Sequence, residues 1–214
     1  MAYNVTSLIQ EVKILAKDSS LSDSLITGWL QETHDRVLGR HRFPFLEGVD
    51  TTTLTAGDVL KNYSTEMQTI SSLRLSDGTT VTQPRYVSFQ EFDEMYPSPA
   101  TAPAGRPDVF TDYGRQIYWN APLDKNYVMT RRYMRKPVTF SSGAIVPDIP
   151  EEFKQILIHG ALAGVEEYRE NFDIAAVHLR RVEDLTEDLL LRYGVRQLVT
   201  PSKVRSSRVT RSLW

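Results

Sequence analysis

Apolar positions recur every three to four residues at both ends of the chain and every second residue in its middle. Near the start, Val5, Leu8, Ile9, Val12, Leu15 and Ala16 fall on one helical face, and Asn4 or Thr6 can cap it. Polar residues 17–20 interrupt. Ser22 or Asp23 then opens a second helix, with Leu25, Ile26, Trp29, Leu30, Thr33 and Val37 on its inner side, running to about His41. Two short helices with a short polar joint read as an antiparallel hairpin. Phe43-Pro44-Phe45-Leu46 follows as a hydrophobic plug around a helix-stopping proline.

From about residue 50 to 137 the period is two. Residues 51–54, 59–64, 69–75, 80–82, 108–112, 116–119 and 127–135 read as strands. Ala56-Gly57-Asp58, Ser76-Asp77-Gly78-Thr79 and Tyr113-Gly114-Arg115 supply the Gly and Asp that tight turns need. Ser88 and Glu91 have capping-box spacing ahead of Phe92 and Met95, which predicts one short helix within the strands. Residues 96–107 are too proline-rich for either regular structure.

Helical spacing returns at Pro150, whose missing N–H suits the first helical position, with Glu151 and Glu152 complementing the dipole. Phe153, Ile156, Leu157, Gly160, Ala161, Gly164 and Tyr168 trace its stripe to about Tyr168, and the small residues at its centre leave room for another helix to come close. Lys154, Glu166 and Glu167 argue against a membrane span around Gly160 and Gly164. Asn171 or Asp173 caps the next helix, with Phe172, Ala175, Leu179, Val182, Leu185, Leu189 and Tyr193 inward. Arg180, Arg181, Glu183, Asp184, Glu187 and Asp188 form a solvated face, and Gly194 is expected in a left-handed C-terminal position. The fold class is therefore α+β: an antiparallel helical bundle, residues 1–48 and 148–194, interrupted by an inserted antiparallel β module, residues 49–147, with an extended C-terminal tail, residues 195–214.

Charge separates that tail from the rest. The formal net charge of the chain is −2, and the last twenty residues carry Arg196, Lys203, Arg205, Arg208 and Arg211 with no acid, so residues 1–194 carry −7. A basic segment with scattered Val and Leu and no sustained period cannot offset its ordering entropy alone, and is expected to order against a partner, with Leu213 and Trp214 as an apolar anchor. The absence of cysteine excludes disulfides and thiolate metal sites and suits a reducing cytosol. Residues 5–16 are amphipathic, unlike a signal peptide, and the apolar runs are too short to cross a bilayer.

No catalytic constellation emerges. The histidines at 34, 41, 159 and 178 include no pair four apart and no zinc motif, so packing or capping roles are expected for His159 and His178. Phosphate-cradling glycine motifs and a nucleophile elbow are absent. Pro147-Asp148 with Glu152-Phe153-Lys154 superficially resembles a metal-dependent nuclease set, but both acids fall at one helix start. Glu91, Asp93 and Glu94 do not converge on a helix and read as a solvated face. No cofactor or metal is therefore expected.

The order of segments, with Trp29-Leu30-Gln31, residues 42–47, residues 51–57, Gly105-Arg106-Pro107, Tyr118-Trp119-Asn120-Ala121-Pro122 and Ala161-Leu162-Ala163, resembles bacteriophage head-to-tail adaptor (connector) proteins, including the tail-tubular A type. The likeness runs from residue 1 to about 193. It implies a structural virion protein at the head–tail junction, present in the host cytoplasm before assembly. It also implies a homo-oligomeric ring, usually a dodecamer, beneath the portal protein, which extends the DNA channel and docks the tail or nozzle protein. The C-terminal segment would reach the portal through Arg196, Lys203, Arg205, Arg208, Arg211, Leu213 and Trp214. The alternatives are a nucleic-acid-binding protein using its basic tail, with a salt slope of about −4 to −5 if all five cations engage duplex DNA, and a metal-dependent nuclease.

Overall fold

The computed structural model describes residues 3–194. In order, α1 (Val5–Leu15) and α2 (Asp23–Arg40) precede β1 (Glu47–Leu54), β2 (Leu60–Asn62), β3 (Met67–Ser76), β4 (Val81–Thr82) and β5 (Arg85–Tyr86). Then come α3 (Phe89–Met95), β6 (Val109–Tyr113), β7 (Gln116–Trp119), β8 (Tyr127–Arg135), α4 (Lys154–Tyr168) and α5 (Phe172–Tyr193). The fold is mixed α+β, and all seven strands expected from the period of two are present.

The strands form two four-stranded sheets, ordered β1-β8-β3-β4 and β2-β7-β6-β5. Leu54, Leu73, Leu75, Tyr127 and Met129 from the first meet Phe110, Ile117 and Trp119 from the second in one buried cluster. Alternation selects those residues: in β8 Tyr127, Met129 and Arg131 point inward while Val128 is exposed. Between β6 and β7, Gly114 and Arg115 both have positive φ (57° and 64°), the mirror-image turn that matches strand twist. The β region is not purely antiparallel, however. β5, a strand the sequence pattern did not reveal, pairs in parallel with β6, Arg85 opposite Val109. At two residues it is too short to show any period, and α3 serves as the crossover a parallel pair requires.

The helices share a separate core centred on α4. Ile156, Leu157, Ile158, Gly160 to Val165 are all buried, because α1, α2 and α5 each pack on a different side of α4. A helix apolar nearly all round belongs in the middle of a layer. Against α2, a Cβ at Gly160 would lie 2.1 Å from Thr33 Oγ1, and one at Gly164 would lie 2.5 Å from Trp29 Cγ. The small-residue pair is thus a helix-to-helix seat within this layer.

Several local expectations change. Asn4 caps α1, accepting from Ser7 N–H (2.9 Å), but Leu15 and Leu25 are exposed, since each sits on a stripe edge that no neighbour covers. Pro150 is extended (ψ 143°) ahead of a 3-10 turn, Glu151–Phe153, so the α-helix begins only at Lys154. Asn171 does cap α5, but its amide donates to Glu166 Oε2 (2.8 Å) instead of serving the helix end. Phe172 is exposed, and Gly194 is extended (φ −61°), not left-handed.

Candidate functional site

Residues 136–150 lead from β8 back to α4, and they are tied to the first two helices by polar contacts on every side. Val5 and Thr6 N–H donate to the carbonyls of Ile145 (3.0 Å) and Gly143 (2.9 Å), and Tyr3 Oη donates to that of Ile149 (2.6 Å). From α2, Gln31 Oε1 accepts from Phe140 N–H (2.7 Å). Three residues on, one turn of α2 away, His34 Nε2 accepts from Asp148 N–H (3.2 Å).

Asp148 is the hub of this strap. Its carboxylate accepts from Val138 N–H (2.7 Å) and from Arg135 Nη2 (2.5 Å) at the end of β8, and its side chain is only 6% exposed. Arg135 also reaches the Phe45 carbonyl (3.4 Å), so the plug, the strand end and the strap meet there. His34 is fully buried against Phe140. Accepting at Nε2 puts its proton on Nδ1, 3.7 Å from Asp35 Oδ1. Its burial and network were not legible in the helical spacing, which assigned position 34 to no face.

The acids of the nuclease-like reading do not converge. Asp148 is consumed by the strap, whereas Glu152 accepts from Tyr193 Oη and pairs with Arg192 (3.2 Å) on α5. Glu91, Asp93 and Glu94 are exposed as expected. Among the described residues no group of three or more His, Cys, Asp or Glu could hold a metal ion. A second buried charge escaped the sequence reading: Arg131 on β8 pairs with Asp50, its register partner on β1, and donates to Thr52 Oγ1 (3.2 Å). Arg131 holds the Asp50 carboxyl below the usual carboxylate range, against the opposing effect of burial.

The late histidines meet each other. His159 Nδ1 on α4 and His178 Nδ1 on α5 are 3.0 Å apart, one donating and one accepting. Burial foremost, then His178 and Arg181, hold His159 below its usual pKa; burial does the same to His34, against the pull of Asp148 and Asp35. The folded chain therefore resists protons that the unfolded chain accepts. This contribution to stability is complete above the ordinary histidine range and is lost as pH falls through it. Melting temperature is expected to drop between about pH 7.5 and about pH 5.5, and His159→Gln to flatten that drop. An unchanged slope would remove the pair as its origin.

Arg196, Lys203, Arg205, Arg208, Arg211, Leu213 and Trp214 lie outside the described residues. α5, which leads to them, keeps Arg180, Arg181, Glu183, Asp184, Glu187 and Asp188 exposed, as the charge pattern predicts. Among the described residues no helix is long and apolar enough to cross a membrane. No curated protein matches the chain. The model of one family, described as SU10 adaptor protein, matches residues 3–207. That match covers both sheets and all five helices, and it runs past Gly194 into the basic segment, farther than the resemblance read from the segments. The chain belongs to the SU10 adaptor protein family and is a bacteriophage head-to-tail adaptor, a structural component of the virion's head–tail junction.

Proposed function

We propose that this adaptor forms a ring, of twelve copies as in the proteins it resembles, beneath the portal protein, where it extends the DNA channel and presents a docking surface to the tail or nozzle protein. In this reading residues 1–48 and 148–194 form the ring's helical layer, residues 49–147 an inserted β module, and residues 195–214 the arm that docks on the portal. The observation that carries it is the division of charge. A body of net −7 leads into a segment of +5 without a single acid. A net negative body is compatible with a channel wall that repels phosphate and lets DNA pass without adhering, and the arm, opposite in sign, is the segment suited to an acidic surface on a partner. The chain's role is structural, without a cofactor or a catalytic step.

Within the arm, Arg196, Lys203, Arg205, Arg208 and Arg211 would pair with acids on the portal, while Leu213 and Trp214 would fill an apolar pocket. Deleting residues 195–214 is expected to leave the circular dichroism spectrum and the melting temperature of the body nearly unchanged. The deletion should also abolish co-sedimentation with portal-bearing particles. Equal co-sedimentation of the full and shortened chains would overturn the arm's role.

A further inference from the structure

The helical layer carries a group of exposed apolar side chains at one end, apart from Val177 and Leu191 farther along α5. There the last turn of α1, the last turn of α4 and the first turn of α5 meet, because Arg169 Nη2 donates to the Ala16 carbonyl (3.3 Å) and pairs with Asp18 (3.1 Å). Ile14, Leu15, Tyr168, Phe172 and Ile174 are between 50% and 73% exposed on this tip. Isolated exposed apolar residues are ordinary, but five drawn from three segments that meet at one end single this tip out as a contact surface. Glu167, Glu170 and Asp173 stand exposed among them.

Toward the other end, α2 and α5 lie on α4 side by side and leave a groove between them. Val37, Val182 and Leu190 line it, and Arg36, Arg40 and His41 form the α2 rim, where Arg36 already pairs with Glu32 (2.5 Å). The α5 rim carries Glu183 and Glu187, so the cationic side of the groove is that of α2. Tip and groove are separated by about 20 Å along α5, at roughly 1.5 Å per residue from Phe172 to Thr186.

We propose that the tip of one copy seats in the groove of the next, its apolar side chains on the groove floor and Glu170 and Asp173 facing Arg40. The occupant is a second copy because one chain carries both halves: an acidic apolar knob and a groove with a cationic rim, at opposite ends of one layer. A contact between two different faces of identical chains is head-to-tail. It propagates from copy to copy and closes into a ring where the rotation permits, which two copies of a self-complementary face cannot do. The contact deepens the ring reading above and rests on it.

The chain's lack of cysteine makes the test clean. The full-length variant carrying both Ile174→Cys and Arg36→Cys is treated with a short bis-maleimide, free at high concentration and after mixing with portal-bearing particles. The expected result in at least one sample is a ladder of covalent multimers, with only monomer from each single-cysteine chain. Arg40→Glu should reduce the cross-linked fraction roughly tenfold, and adding Asp173→Arg should restore it. No ladder in either sample, or dimers from a single-cysteine chain, overturns the contact. Co-sedimentation with the particles, read on the same samples, reports separately on portal binding: bound chains that do not cross-link refute this contact and leave the portal reading standing.

Discussion

Gly160→Ala is expected to destabilise the protein by about 3 kcal/mol or more, at or beyond the top of the usual range for overpacking. Helix propensity alone predicts the opposite sign, since Ala is favoured over Gly by about 1 kcal/mol in a helix interior. Packing wins here because the new methyl would lie 2.1, 2.4 and 2.7 Å from Oγ1, Cγ2 and Cβ of Thr33. The first two can move only by turning a branched side chain whose hydroxyl donates to the Trp29 carbonyl (2.9 Å), and the third moves only with the α2 backbone. Thr33→Ala in the same chain should recover part of the loss, leaving the Cβ clash. Gly28→Ala and Gly39→Ala on α2 supply the control. A Cβ at either meets nothing within 4 Å, so each should stabilise by about 0.5–1 kcal/mol. Denaturant midpoints measure all four. A stabilising Gly160→Ala would mean that α2 does not sit against α4 at this distance.

Asp148→Ala should cost about 3 kcal/mol, again read from denaturant midpoints. The substitution leaves the Val138 N–H without its acceptor and Arg135 without its counter-charge, and losing one partner of a buried pair typically costs about 3–5 kcal/mol. The low end applies because Arg135 keeps 35% of its side chain exposed and water can take up part of its charge. Asp148→Asn keeps a carbonyl oxygen for Val138 and should lose about 1.5–3 kcal/mol. A loss below about 0.5 kcal/mol on Asp148→Ala would show that the strap of residues 136–150 is held by its apolar residues and backbone bonds alone.

The two experiments probe different kinds of legibility. The seat at Gly160 and Gly164 could be read in advance, because small residues four apart on a helix are a local pattern with a single geometric meaning. The network around Asp148 could not. Its members stand at positions 34, 135, 138 and 148, and local spacing carries no information about which strand end returns to which helix. Along the chain Asp148 stands near Glu152, but their side chains serve different partners.

By itself the sequence determined the type and order of nearly every element, the turns with positive φ at Gly57, Gly78 and Gly114, the helical packing seat and the abrupt change of charge at the basic segment. Each is a property of adjacent or periodically spaced residues, and short-range sterics and spacing suffice to express it. The tertiary structure decided which apolar residues are core. It left Leu15, Leu25 and Phe172 exposed, buried His34 and Arg131, joined β5 in parallel to β6, and brought His159 against His178. Those outcomes depend on which distant segment covers a given face. A periodic stripe states that a face needs covering, and only the assembled layers supply the cover.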